Sequence, residues 1–331
     1  MRFDPFRALR RHGVLGINRR NIDFVARYNP RRLYPLVDDK VRTKVLAMEH
    51  GIPVPRLYGR VEAHGDLRWL PTLLDPLEDF VVKPAHGAMG NGVLVIVGRE
   101  GERFVKGSGA TLETRDLRYH VGGILSGLYS LGGRSDQALL EHRVRIHPAF
   151  RDLCWRGVPD CRVIVFKGVP VMSMLRLPTQ MSDGRANLHQ GAVAVGVDLS
   201  DGRTHCAVHL DRLIGQHPDT GETLRGRSVP DWDTVLDIAA ASADMTGLGY
   251  LGVDVVHDAE LGPMLLELNA RPGLSIQLAN ATGLLPLLER IEALGPAPPD
   301  RRERIALAKE LFSEYLSARQ AAIESDDSSN G

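Results

Sequence analysis

The stretch Gly252-Val253-Asp254-Val255-Val256-His257-Asp258-Ala259-Glu260-Leu261-Gly262-Pro263-Met264-Leu265-Leu266-Glu267-Leu268-Asn269 is two apolar runs around one turn. Runs rich in valine and leucine on either side of Ala259–Gly262 predict a β-hairpin. A tight turn with a two-residue loop at that point sets Asp254 directly opposite Glu267. Facing carboxylates on apolar strands repel, and the pair is destabilising without a counter-charge. Asn269 lies two residues beyond Glu267, so its side chain points to the same face. Two carboxylates and an amide oxygen, bracketed by Val253, Val255, Leu266 and Leu268, suit Mg²⁺ held together with nucleotide phosphates. The bland alternative is a pair of acids on a solvated sheet face. It accounts for single residues, whereas the constellation favours a metal.

Moving upstream, Phe80-Val81-Val82-Lys83 is a short apolar strand halted by Pro84. His86-Gly87-Ala88-Met89-Gly90-Asn91-Gly92 then leads into a second strand, Val93 to Val97. Three glycines in the six residues 87–92 let successive N–H groups curl around a phosphate, and a strand-end lysine adds a point charge. Lys83 at that strand end is expected to be replaceable without unfolding the chain. A flexible hairpin loop would have the same composition. Two other nucleotide signals fail. Gly247-Leu248-Gly249-Tyr250-Leu251-Gly252 matches G-x-G-x-x-G but follows a helix and enters a strand, the reverse of the dinucleotide context. No G-x-x-x-x-G-K-[ST] occurs.

Around these segments, Asp38 and Asp39 can cap a helix to about His50 with Val41, Val45 and Met48 as its apolar stripe. Further helices are expected over Leu117–Leu128, Asp233–Thr246, Leu284–Leu294 and Arg301–Ile323, and a disordered tail from Glu324. Strands are expected over Ala138–Val144, Cys161–Phe166, Val169–Leu177 and Ala192–Val197. Strand pairs interspersed with helices give an α+β class with antiparallel sheets. The expected division is a basic arm over 1–37, one subdomain over 38–137, a second over 138–295, and a C-terminal helix and tail over 296–331.

Composition bounds the rest. A chain of 331 residues with 43% hydrophobic and 25% charged residues has the make-up of a soluble globular protein of one or two domains. Net charge zero gives no global pointer to nucleic acid. Cys154, Cys161 and Cys206 fit neither a disulfide framework nor a zinc site. No apolar run approaches the ~20 residues of a membrane helix, and no apolar segment follows the N-terminal charges as in a signal peptide. A cytoplasmic setting is the simplest expectation. Charge is nonetheless uneven. Residues 1–32 hold nine arginines against Asp4 and Asp23, a surplus of seven. Such an arm either packs along an acidic face or meets an anionic substrate, a partner, a membrane surface or a second copy of the chain.

Taken in order, these motifs resemble the ATP-grasp superfamily. The resemblance rests on Asp39-Lys40 with Lys44, Gly51-Ile52-Pro53-Val54-Pro55, Val82-Lys83-Pro84 with its glycine loop, Leu140-Glu141-His142, Asp160-Cys161-Arg162 and Asp254…Glu267-Leu268-Asn269. It covers about residues 38–294 and is similar most of all to the α-L-glutamate ligase-like group, including ribosomal-protein glutamate ligases, and to glutathione synthetases. Arg176-Leu177-Pro178 and Arg185-Ala186-Asn187-Leu188 are similar to the acceptor loop of that group. The resemblance implies two α+β subdomains with ATP between them. Lys40 and Lys83 would hold phosphates, and His86, Gly87, Gly90 and Gly92 would belong to a lid. Glu141, His142 and Val144 would lie on the strand that meets adenine. Asp254, Glu267 and Asn269 would hold one or two Mg²⁺, with Mn²⁺ as a substitute. Arg162, Arg176 and Asn187 would face the transferred phosphoryl group. Lys44 and Lys106 are expected as surface charges, and His189 has no assigned role.

The implied reaction is an ATP-dependent carboxylate–amine ligation through an acyl phosphate, adding glutamate or another amino acid to an amino-acid, peptide or protein acceptor. A small-molecule kinase using the same ATP site, or a non-catalytic nucleotide-binding module, are the alternatives. The acceptor site is expected to draw on the basic arm, the 178–191 loop or another subunit.

Overall fold

The computed structural model describes residues 9, 11–87 and 90–329; Arg2, Asp4, Arg7 and Arg10 of the arm and Ala88 and Met89 of the lid lie outside them. Two antiparallel sheets organise the chain. The first holds β1 (Leu57–Val61), β2 (Phe80–Pro84), β3 (Leu94–Glu100), β4 (Arg103–Lys106), β5 (Thr111–Leu112) and β6 (Ala138–Glu141) in the order β1-β6-β2-β3-β4-β5. The second holds β7 (Asp160–Phe166), β8 (Val169–Leu177), β9 (Val193–Val197), β10 (Thr204–His209), β11 (Arg212–Leu213), β12 (Tyr250–Asp258) and β13 (Gly262–Asn269) in the order β11-β10-β9-β8-β7-β12-β13. The helix Thr114–Leu125 turns Leu117, Val121, Ile124 and Leu125 onto the smaller core with Val82, Phe80 and Phe104. The helix Trp232–Thr246 seals the larger core against β7 and β12.

Three expectations change. The strand at Ala138–Glu141, expected to open the second subdomain, pairs inside the first sheet between β1 and β2. Its four residues are all buried, and only an interior position satisfies both edges of such a strand. The helix from Arg301 runs to Ser329, past the point where a disordered tail was expected. No glycine or proline interrupts Ala321–Ser329 to end it. The basic arm is built into the larger core. Leu15, Phe24, Val25 and Val37 join that core, and Phe24 meets Phe166 edge-to-face at 5.4 Å. Arg19 and Arg27 pair with Glu289 and Glu292, so along this part the arm does lie on acidic side chains.

In the β12–β13 hairpin Asp254 does stand opposite Glu267, but by a different route. Asp258 pairs with Gly262, leaving three loop residues instead of two. A bulge on β13 at Leu266 then restores the register, so that Gly252, Val253 and Asp254 face Asn269, Leu268 and Glu267. The bulge also lets the Leu265 N–H donate outward to the Pro53 carbonyl at 2.8 Å, tying the extended 53–55 segment to the edge strand.

Candidate active site

A cleft forms where the helix Lys40–Glu49 crosses β13, lined by Lys40, Lys44 and Lys83 on one side and Leu265 to Leu268 on the other. Asp39 caps the helix, accepting the Val41 and Arg42 N–H groups at 2.9 and 3.2 Å. The helix lies the opposite way round to the expected one. Lys44, Thr43 and Ala47 are buried, whereas Val45 and Met48 are 49% and 63% exposed. The reason is the partner waiting inside. Glu141, fully buried at the end of β6, takes Lys44 at 2.8 Å and also pairs with Lys83. A buried carboxylate demands cations more strongly than a helix face demands valines. Lys44 is thus no surface charge. Nor is Lys83 a solvent-facing strand end, being 7% exposed.

Burial lowers the Lys44 ammonium to about 8 against the pull of Glu141, with Lys83 adding to the fall. Burial also lowers Lys40, opposed by Glu267 across the cleft. At Glu141 burial acts to raise the carboxyl, but Lys83 and Lys44 outweigh it and hold it below the ordinary range. Three lysines thus converge on a cleft in which Glu141 neutralises one charge and Glu267 faces another.

The glycine-rich loop leaves β2 over this cleft. Lys40 Nζ donates to the Gly87 carbonyl at 2.6 Å. Gly90 and Gly92 have φ of +74°, a region side chains rarely enter. A Cβ on Gly92 would lie 2.6 Å from the Tyr129 ring. His120 Nε2 meets the Gly92 carbonyl at 3.0 Å, so the far end of the loop is fixed to the helix Thr114–Leu125. Gly90 itself lies beside the Arg185 side chain, where an added Cβ would be 3.4 Å from Cδ. Arg185, which the resemblance put in the acceptor loop, thus lies next to the lid.

Beyond the cleft, one face of the larger sheet carries a belt of charge. Glu267, Asp254, Arg162 and Met174 form a row across β13, β12, β7 and β8. Asp160 and Arg176 pair in the next row of the same face. Arg162 grips Asp254 with Nε and Nη2, each at 2.6 Å, and Arg176 adds a contact at 2.9 Å. Arg176 also grips Asp160 at 2.5 and 2.6 Å. Burial acts to raise Asp254, but the two guanidiniums outweigh it and the carboxyl is held low. At Asp160, bonded among the described residues by Arg176 alone, burial prevails over that arginine and lifts the carboxyl to about 6, with Asp254 adding to the rise. The repulsion expected between Asp254 and Glu267 is therefore met by the protein's own arginines.

The donor set fits a divalent ion in chemical type, with two carboxylates and the Asn269 Oδ1 available on one face. Asn269 Nδ2, buried and without a hydrogen-bond partner among the described residues, is a donor and would meet a phosphate oxygen instead. Among the described residues no group of three His, Cys, Asp or Glu is placed to hold a metal, so Asn269 would be needed. Of the strand expected at adenine, the His142 N–H is taken by the Arg56 carbonyl at 2.8 Å and its ring by Asp258 at 2.9 Å. Val144 packs on Val256 and Met264, and among the described residues its backbone N–H and carbonyl have no partner. Asn187 spends its side-chain oxygen on the His189 N–H at 3.0 Å, capping a single turn in the 178–191 loop. Among the described residues it makes no hydrogen bond to Arg162 or Arg176.

A family model described as sugar-transfer associated ATP-grasp matches residues 19–293. Among solved structures, the chain is similar to the ATP-grasp ligase PsnB complexed with minimal precursor, at 17% identity over 80% of this chain and 63% of that one (TM-score 0.43). It is also similar to the D-cycloserine synthetase DcsG, at 18% identity over 86% and 73% (TM-score 0.43). A third is the D-alanine-D-alanine ligase from Coxiella burnetii, at 15% identity over 89% and 63% (TM-score 0.39). The chain spans 60–63% of the length of the PsnB structures. No curated protein matches the sequence.

Proposed function

We propose an ATP-dependent ligase activity on the premise that the chain belongs to the sugar-transfer associated ATP-grasp family, whose model spans residues 19–293. Its two antiparallel sheets with their helices are the ATP-grasp fold. The observation that carries the reading is the convergence of Lys40, Lys44 and Lys83 on one wall of a cleft with Glu267 on the other. Lysines are compact cations that suit phosphate oxygens, and the carboxylate wall suits the cation that accompanies them. A planar base would meet the open backbone groups of Val144.

The carboxylate substrate would attack the γ-phosphorus of ATP, releasing ADP and forming an acyl phosphate. An amine would then attack the acyl carbon, lose a proton and expel phosphate. Mg²⁺ held by Asp254, Glu267 and Asn269 would supply charge neutralisation at the phosphates. Arg162 and Arg176 lie on the same sheet face as that donor set and would stabilise charge developing on the transferred group. The glycine-rich loop would exclude water that would otherwise hydrolyse the acyl phosphate. Amino acids and peptides are the first substrates to screen, joined by sugar acids and amino sugars because of the family's description.

The test is ADP release across that panel with hydroxylamine present. A hydroxamate formed only with ATP and one carboxylate supports ligation. A stable phosphorylated product in its place makes the protein a kinase, and no nucleotide turnover or binding removes the enzyme reading.

A further inference from the structure

We propose that Asp136 is a positioning residue for the nucleotide, acting through His86 at the entrance to the glycine-rich loop; the proposal rests on the nucleotide site described above. Asp136 lies outside both sheets, just before β6, and its side chain is wholly buried. Its carboxylate accepts the His86 backbone N–H at 3.1 and 3.2 Å and the His86 ring Nδ1 at 2.8 Å. It also accepts the Ser130 hydroxyl and the Gln137 N–H, both at 2.8 Å. Two other stretches of chain, at His86 and at Ser130, therefore hang on one acid, and its charge is fully satisfied.

The arrangement points outward. A carboxylate acid serving only the core has no reason to hold a ring that is 48% exposed, yet two of the four groups it binds belong to His86. Because an ionised carboxylate only accepts, His86 must carry its proton on Nδ1 in this bond. The ring is then fixed in one orientation, with Nε2 3.8 Å from Asp39 Oδ2. Asp39 caps the helix that carries Lys40 and Lys44. The same anchor fixes the loop's backbone. Gly87 bridges to Ser130, the Ala85 N–H donates to the Gln137 carbonyl at 2.9 Å, and the Gly87 carbonyl receives Lys40 at 2.6 Å. One buried charge thus sets the direction of His86 Nε2 and the position of the carbonyl that orients Lys40.

The experiment measures the Kd of Mg·ATP by calorimetry for the full chain, for Asp136→Asn, for His86→Ala and for the double variant. Asparagine keeps the size but turns a donor toward the donors of His86 and Ser130. Each single change is expected to weaken binding roughly tenfold, the scale of one lost charge-assisted hydrogen bond. The double variant should bind no worse than the weaker single, because Asp136 works through His86. If the two losses multiply, Asp136 acts on binding independently of the His86 ring and the proposal falls. Should Asp136→Asn not fold, His86→Gln replaces it. That side chain reaches toward the Nε2 position without a Nδ1 donor for Asp136 and should lose affinity as His86→Ala does; wild-type affinity would overturn the role of Asp136. Absence of Mg·ATP binding by the wild type would overturn the nucleotide site itself, a result distinct from multiplying losses in a wild type that binds.

Discussion

Glu141 and Asp254 are both buried carboxylates held by two cations, yet the cations differ and so does the outcome. Glu141 is held by Lys44 and Lys83, two point charges on flexible stems. That cluster carries one cation more than it has acids, and Lys40 lies beside it on the same cleft. Asp254 is held by Arg162 and Arg176, whose planar forks lock onto carboxylates in pairs of bonds. Counting Asp160, two arginines there face two aspartates and the network is neutral. The lysine cluster is therefore incomplete without an anion, while the arginine network is closed on itself. A phosphate arriving at the first adds a partner. A cation arriving at Asp254 has to take the place of a guanidinium.

The largest expected effect breaks the lysine side of this contrast. Glu141→Gln leaves Lys44 and Lys83 buried beside each other with no carboxylate, and stability is expected to fall by roughly 3–5 kcal/mol. Mg·ATP should restore part of that loss, since phosphates supply the missing negative charge. Thermal melting with and without Mg·ATP reads both quantities. A melting temperature unchanged from wild type would mean that Glu141 does not neutralise the lysines.

Next in size is Glu267→Gln. Glu267 faces the cleft and has no guanidinium of its own among the described residues. Because the arginines already offset Asp254, removing Glu267 should move apo stability by no more than about 0.5 kcal/mol. Turnover is expected to fall roughly 100-fold through lost stabilisation of the transferring phosphoryl group. Full activity in this variant would take the hairpin out of the site.

The third prediction uses pH to sharpen the same contrast. The arginines stay charged at every accessible pH, but Lys44 is lowered by burial to about 8 from an unfolded value near 10.5. Between those values the unfolded chain binds the proton and the folded one does not. Stability from this group therefore rises with pH over that window and its full cost is present below pH 8. Polyphosphate favours the charged ammonium, so binding should take up protons near pH 8 and weaken by up to about tenfold at higher pH. Calorimetry at pH 8 in two buffers of different ionisation enthalpy reads the uptake. Zero uptake would separate Lys44 from the phosphates.

How much of this was legible follows from distance along the chain. The facing of Asp254 and Glu267 is a local matter, set within eighteen residues, and the hairpin could be read. Even so, a three-residue loop and the bulge at Leu266 cancel, so the pairing is right although the turn is not. The orientation of the Lys40–Glu49 helix was not legible. Val41, Val45 and Met48 recur at helical spacing as well as Lys40, Lys44 and Ala47 do. Which stripe turns inward depends on Glu141 and Glu267, about 100 and 220 residues away in sequence. Asp136 sits in a stretch of loop composition, and nothing near it in sequence announces His86, fifty residues earlier. β10 and β11 escaped because Thr204–His209 mixes polar and apolar residues without alternation.

The smallest effect is expected at Arg19, and it tests whether burial, not pairing as such, separates the two networks from the surface. Arg19 makes the same kind of bond as Arg162, reaching Glu289 at 2.7 Å and Asp23 at 3.1 Å. All three of these side chains are about half exposed, however, so water competes for every bond and salt screens the charges. Arg19→Gln is therefore expected to cost less than about 1 kcal/mol, and that difference should fade at high salt. Its neighbour Arg20 is buried and donates to the Pro272 carbonyl at 2.5 Å, in the loop that follows Asn269. Arg20→Gln should accordingly destabilise more, and its loss should persist in salt because the partner is a neutral carbonyl. With Arg19 engaged by its own chain's acids, the acceptor KM of Arg19→Gln should equal that of wild type. An acceptor KM that rises, and rises less in high salt, would instead make the arm part of the acceptor site.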